Sequence, residues 1–164
     1  MNIEQFNALT VAEALAAVAP CVAINAWQQQ LVAARPFDSS EQALTVAEQL
    51  SMHWQLPELM EALSAHPRIG EQAQGEQAHH QASRSEQASV LSADDVVKQA
   101  MAAGNRAYEA RFGRIFLIRA KGRSPQEILA CLQQRLKNSD NEELPETLQQ
   151  LREITLLRLQ EVLL

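Results

Sequence analysis

His66 lies between an amphipathic run, Pro57-Glu58-Leu59-Met60-Glu61-Ala62-Leu63, and the sequence Pro67-Arg68-Ile69-Gly70. Proline moves the backbone of the residue before it out of the α region, so the helix is expected to end at His66. Its imidazole is then presented at a helix end, and Gly70 frees the turn beyond. An imidazole titrates near neutrality and can give or take a proton at cellular pH. A histidine that merely caps carbonyls, or sits satisfied in a core, explains the same residues. A second candidate is Ser83-Arg84-Ser85-Glu86-Gln87, a polar cluster holding a carboxylate, although Ser83 and Glu86 also have capping-box spacing. A third is Arg158. It falls on the apolar face that Leu148, Leu151, Ile154, Thr155, Leu159 and Val162 make at helical spacing. Such an arginine either snorkels to the helix edge or reaches a cavity, where its planar fork grips a carboxylate or a planar polar ligand. His79-His80 raises a metal, but adjacent residues on a helix point about 100° apart, and no metal site is expected.

The elements that must position these groups read as helices almost throughout. Ala, Leu, Gln and Glu dominate, β-branched runs are few, and aromatic residues are only 4%. Thr10 with Glu13 is a capping box opening a helix that stops before Pro20. Pro20 is expected in the first turn of the next, with Ile24, Trp27 and Leu31 at three- and four-residue spacing, and Arg35-Pro36 ends it. Ser39 and Gln42 cap a third helix with Leu44, Ala47 and Leu50 facing inward, and the fourth delivers His66. From Glu71 to Ser89 no large apolar residue occurs, so a long, partly mobile segment is expected there. Ser92 and Asp95 are expected to cap a long helix running to Phe112, with Gly113 as its stop. Ile115-Phe116-Leu117-Ile118 is strand-like but short, and reads as a buried extended connector whose backbone amides need partners, a ligand among them. Ser124-Pro125-Gln126-Glu127 starts another helix, carrying Ile128, Leu129, Leu132 and Leu136 on its apolar face. Residues Asn138 to Asn141 read as a loop, and Pro145 as the start of the last helix. The expected fold is all-α: one domain over residues 1–164, a bundle of about seven to eight helices with one short extended connector.

Composition narrows the function. The 164 residues, 46% of them hydrophobic, suffice for a buried core. With 14 Lys+Arg against 20 Asp+Glu, the net charge of -6 argues against nucleic acid and anionic membranes as partners. No apolar run nears the roughly 20 residues of a membrane-spanning helix. The start, Met1-Asn2-Ile3-Glu4-Gln5, lacks the basic stretch of a signal peptide, and the closing Glu161-Val162-Leu163-Leu164 is no peroxisomal address. Cys21 and Cys131 match neither a zinc spacing nor a disulfide framework, so a reduced cytoplasmic protein is expected.

Five motifs occur in a fixed order: His66-Pro67-Arg68-Ile69-Gly70, Ser83-Arg84-Ser85-Glu86-Gln87, Asn105 through Gly113, Lys121-Gly122-Arg123-Ser124, and Ile154-Thr155-Leu156-Leu157-Arg158-Leu159. In these the chain, from Phe6 to Leu163, resembles the 2-oxo-4-hydroxy-4-carboxy-5-ureidoimidazoline (OHCU) decarboxylases. One departure stands out: the family's Phe-Gly-Phe-Pro-Phe is Phe112-Gly113-Arg114-Ile115-Phe116 here, without the proline. The resemblance implies an all-helical carboxy-lyase of urate breakdown that needs no cofactor, is a homodimer, and forms (S)-allantoin and carbon dioxide. It implies His66 as proton donor, with Glu86 and Arg158 as its catalytic partners. Pro67, Ser83, Gln87, Phe116, Leu117, Ile118 and Arg119 are implied as substrate contacts. Against it stand a non-enzymatic helical interaction module, with Arg158 snorkelling, and a metal-dependent hydrolase using His66, His79, His80 and Glu86.

Overall fold

The structure, a computed structural model, describes residues 1–66, 68–69, 86–87 and 94–164. Among these residues there are eight helices and no strand. They fall into two compact units, Met1–Ala65 with Arg152–Leu164, and His66–Leu151.

In the first unit, α1 (Ile3–Ala8) and α2 (Val11–Val18) are each opened by a capping box, Asn2 with Gln5 and Thr10 with Glu13. The latter is the one read from the sequence. α3 (Asn25–Ala33) does not begin at Pro20. Instead the Cys21 amide closes a turn on the Val18 carbonyl at 3.0 Å, and Gln28 Nε2 donates to the Val22 carbonyl at 2.8 Å. The Asn25 amide donates to Glu61 Oε2 at 3.0 Å, which sets a carboxylate at the N-terminus of α3, where the helix dipole favours it. A tertiary contact thus fixes a start that local sequence did not reveal. α4 (Ser40–Ser51) is capped by Ser39 as expected, with Gln42 N donating to Ser39 Oγ at 3.1 Å. Its buried line is Ala43, Ala47 and Ser51, while Leu44 and Leu50 flank it half-buried. Small side chains there let α3 approach: Trp27 Nε1 donates to the Ala47 carbonyl at 3.1 Å, and Trp54 meets Trp27 edge-on at 6.4 Å. α5 (Leu56–Leu63) ends three residues before His66. Ser64 Oγ donates to the Glu61 carbonyl at 2.7 Å and Ala65 N to the Ala62 carbonyl at 3.1 Å, so a turn separates the helix from the histidine.

The second unit holds α6 (Asp95–Phe112), α7 (Pro125–Arg135) and the first half of α8 (Asp140–Val162). Asp94 caps α6, accepting from Val97 N at 3.0 Å, and Asp95 is the first helical residue rather than part of the cap. Ser92 lies outside the described residues. Gly113 stops the helix with φ 71°, a left-handed conformation that costs glycine least. Met101, Asn105 and Tyr108 form its buried line, whereas Val96 is 77% exposed. The connector takes no regular secondary structure, and Phe116, Leu117, Ile118 and Ala120 are buried. Ser124 caps α7, accepting from Glu127 N at 3.1 Å, with Pro125 in the first turn. α6 and α7 pack closely at Gly104, where a Cβ would stand 2.4 Å from Leu132 Cδ2. α8 begins at Asp140, not at Pro145. Ser139 and Glu142 make its capping box, at 3.2 and 3.0 Å, and only an exposed first-turn carbonyl, that of Asn141, loses a partner to the proline. No helix among the described residues is long and apolar enough to cross a membrane.

Candidate active site

His66 is half-buried and is the first residue of the second unit. Glu86, half-buried, and Gln87, 7% exposed, belong to the same unit, as do Phe116, Leu117, Ile118 and Arg119. Pro67 and Ser83, with His79 and His80, lie outside the described residues. Arg158 belongs to the first unit.

The connector's backbone is held at three points. Arg119 N donates to Gln150 Oε1 at 3.0 Å, Arg123 Nε donates to the Arg119 carbonyl at 2.8 Å, and Arg135 NH1 donates to the Leu117 carbonyl at 2.6 Å. Of the amides for which the sequence asked partners, that of Arg119 is met here by a side chain; the other two contacts are to carbonyls. Arg135 itself is 3% exposed, on the face of α7 that Ile128 and Leu132 bury. Its Nε and NH2 both donate to Glu143, 0% exposed, at 2.9 and 2.6 Å to Oε2, and its guanidinium carbon lies 4.5 Å from the centre of the Phe116 ring. Tyr108 Oη donates to the same carboxylate, and Asn138 Nδ2 donates to Glu143 Oε1 at 3.0 Å. Burial pushes the Glu143 carboxyl up, but hydrogen bonds from Arg135 and Tyr108, with the Arg135 charge, outweigh it and hold the group below its ordinary value. Burial, and then the bond to Glu143, push the Tyr108 phenol up to about 12.

The segment carrying His66 is tied to α6. Asn105 Nδ2 donates to the Ile69 carbonyl at 2.7 Å, and Arg68 Nε donates to both carboxylate oxygens of Glu109, at 2.9 and 3.0 Å. A cavity of about 300 Å³ opens beside these contacts, lined by Arg68, Ile69, Lys98, Met101, Asn105 and Glu109 among others. Asn105 and Glu109 lie in the third sequence motif, which assigned them no role, although their four-residue spacing puts them on one helix face.

In the first unit Arg158 is 4% exposed, so it does not snorkel, and NH1 donates to the Pro20 carbonyl at 3.2 Å. Burial pushes the neighbouring Cys21 thiol up to about 12, against a smaller opposing effect of the Arg158 charge. Both cysteines are free thiols. No group of three His, Cys, Asp or Glu side chains among the described residues is arranged to hold a metal ion.

The sequence model of the OHCU decarboxylase family matches residues 7–160. The chain belongs to the OHCU decarboxylase family. It is a decarboxylating lyase that acts on OHCU in urate breakdown. Its fold matches a crystal structure of an OHCU decarboxylase in the presence of (S)-allantoin, with a TM-score of 0.75 and 27% identity over 88% of this chain and 95% of that one. It also matches the fold of an (S)-allantoin synthase, with a TM-score of 0.71 and 16% identity over 99% of this chain and 54% of that one. No match was found among curated proteins. Family membership sets aside the interaction module and the hydrolase.

Proposed function

We propose that His66 is the proton donor of OHCU decarboxylation. When the bond to the carboxylate breaks and carbon dioxide leaves, its electron pair stays in the ring, shared with the adjacent nitrogens and oxygen. The reaction ends when one ring carbon takes a proton. The protein must orient the substrate, exclude water and deliver that proton to one face, which makes the product a single enantiomer, (S)-allantoin. The observation that carries this reading is the position of His66, a half-buried imidazole just past the turn that follows α5, inside the motif His66-Pro67-Arg68-Ile69-Gly70 of a chain matched by the family model over residues 7–160. The imidazole regains its proton from solvent.

In this proposal Glu86 hydrogen-bonds the substrate, with Pro67, Ser83, Gln87 and the connector Phe116, Leu117, Ile118 and Arg119 as its further contacts. Arg158 engages an anionic or carbonyl oxygen. Its support is burial on the apolar face of α8, since a guanidinium kept there carries a desolvation cost that chemistry would justify. The proposal needs no cofactor. A homodimer, cytoplasmic residence and a single folding domain over residues 1–164 complete it, on the strength of the resemblance and the composition.

The test supplies urate and the two preceding enzymes, and follows optically active allantoin by circular dichroism. His66→Asn is expected to fold normally, with native far-ultraviolet dichroism, and to lose most turnover, because an amide transfers no proton at neutral pH. Near-normal turnover by the folded variant would remove His66 from the mechanism. Activity that disappears on exhaustive chelation and returns with a divalent metal would overturn the cofactor-free part.

A further inference from the structure

α5 does not extend to His66. The helix stops at Leu63, and the turn through Ser64 and Ala65 leaves the imidazole beyond the last hydrogen-bonded residue of the helix. The residues just after it then contribute to where the donor stands. Ile69 is three residues on, a stretch that spans at most about 10 Å of chain. Two anchors there belong to α6. Asn105 Nδ2 reaches the Ile69 carbonyl at 2.7 Å, and Glu109 receives Arg68 through two nitrogens, Nε at 3.0 Å to Oε2 and NH2 at 2.9 Å to Oε1.

We infer that Asn105 and Glu109 are positioning residues for catalysis, holding the segment after His66 so that its imidazole meets one face of the reacting ring. The inference rests on the assignment of His66 as proton donor. Two observations distinguish this role from plain stability. Asn105 is 5% exposed and its Oδ1 has no hydrogen-bond partner among the described residues, so this amide carries a burial cost that only its donor offsets. An apolar residue at this point of α6, between Met101 and Tyr108, would be the better choice for a core alone. The Arg68–Glu109 pair has side chains 47% and 25% exposed, and ion pairs so open to water add little to stability. A bidentate guanidinium–carboxylate pair does, however, fix orientation.

The experiment compares His66→Asn, Asn105→Leu, Arg68→Met, Glu109→Gln and the Arg68→Met/Glu109→Gln double variant. Steady-state kinetics, thermal melts and the enantiomeric excess of allantoin are measured, with enzyme in sufficient excess to outrun spontaneous decay. Protonation by water attacks both faces, so a displaced donor is read directly as loss of optical purity. Asn105→Leu is expected to lower kcat by roughly 10- to 100-fold, the scale on which small misplacements act, with KM changed far less. Its melting temperature is expected to stay within a few degrees of the parent, because relief of the buried amide opposes the loss of the Ile69 carbonyl's donor, while the enantiomeric excess falls. The Arg68→Met/Glu109→Gln double variant is expected to lose no more kcat than the worse single variant, because both act through one contact. Full kcat and optical purity in Asn105→Leu, or additive losses in the pair, would overturn the inference. If His66→Asn itself keeps its activity, the donor assignment fails instead, and the two failures are told apart.

Discussion

Arg135 and Glu143 form a buried ion pair in the second unit, with side chains 4% and 0% exposed, in which Nε and NH2 both reach Oε2. The third nitrogen, NH1, is left for the Leu117 carbonyl, so the pair at once neutralises two charges and fixes the connector. Two buried charges are stable only when paired and hydrogen-bonded.

Removing one member should therefore cost far more than the pair is worth. Arg135→Met and Glu143→Leu are each expected to destabilise the protein by about 3–5 kcal/mol, since each strands a charge. The double variant is expected to lose much less than the sum, although the Leu117 carbonyl loses its donor and the Tyr108 hydroxyl keeps only the Thr147 hydroxyl at 3.4 Å. Denaturant unfolding of the four proteins measures this, and additive losses would refute it.

The same network predicts the limits of the pH range. Glu143 has a folded pKa below its ordinary value of 4.5. Its contribution is complete above that value and is lost as pH falls through the lower folded pKa. Tyr108 is shifted the other way, from 10.0 to about 12, so its contribution is complete below 10.0 and is lost as pH rises toward 12. Stability measured against pH should fall at both ends. Glu143→Gln should flatten the acid limb and Tyr108→Phe the alkaline limb; unchanged limbs in either variant would contradict the assignment.

Arg158 permits a third test. Arg158→Lys keeps the charge but not the planar fork, and is expected to lose activity nearly as fully as Arg158→Ala. Arg158→Met removes a buried charge but also the 3.2 Å bond to the Pro20 carbonyl. The two effects oppose, and its melting temperature should stay within a few degrees of the parent while activity is lost. A fully active Lys variant would leave Arg158 with only its structural bond.

What the sequence disclosed was local. The capping box at Thr10 and Glu13, the caps at Ser39 and Ser124, and the Gly113 stop each act within four residues, and each is present. Pro145 misled because the capping box at Ser139 and Glu142 lies just upstream, and a first-turn carbonyl tolerates the missing donor. Pro20 misled because a carboxylate from α5 starts α3. Arg135 had a readable signal, seven residues after Ile128 and three after Leu132, the same anomaly that singled out Arg158. Its partner was not readable: no spacing rule joins residues in α7 and α8, and Tyr108 reaches Glu143 only through the fold. For the candidate site, residue types were legible and anchors were not, because Asn105 and Glu109 have roles only once Ile69 and Arg68 are beside them.

Cys21 offers the first unit a built-in clock. Its thiol is 0% exposed and is held near 12, so almost no thiolate meets solvent while that unit is closed. An alkylating reagent can then modify Cys21 only in molecules that have opened. At high reagent concentration the labelling rate becomes the opening rate, and at low concentration it reports the free energy of opening. Cys131, half-buried on α7, is partly open to the reagent in the closed state and serves as a reference for its intrinsic reactivity. One mass spectrum per time point would thus follow the breathing of the first unit in the native chain, with no label added beforehand and no residue changed.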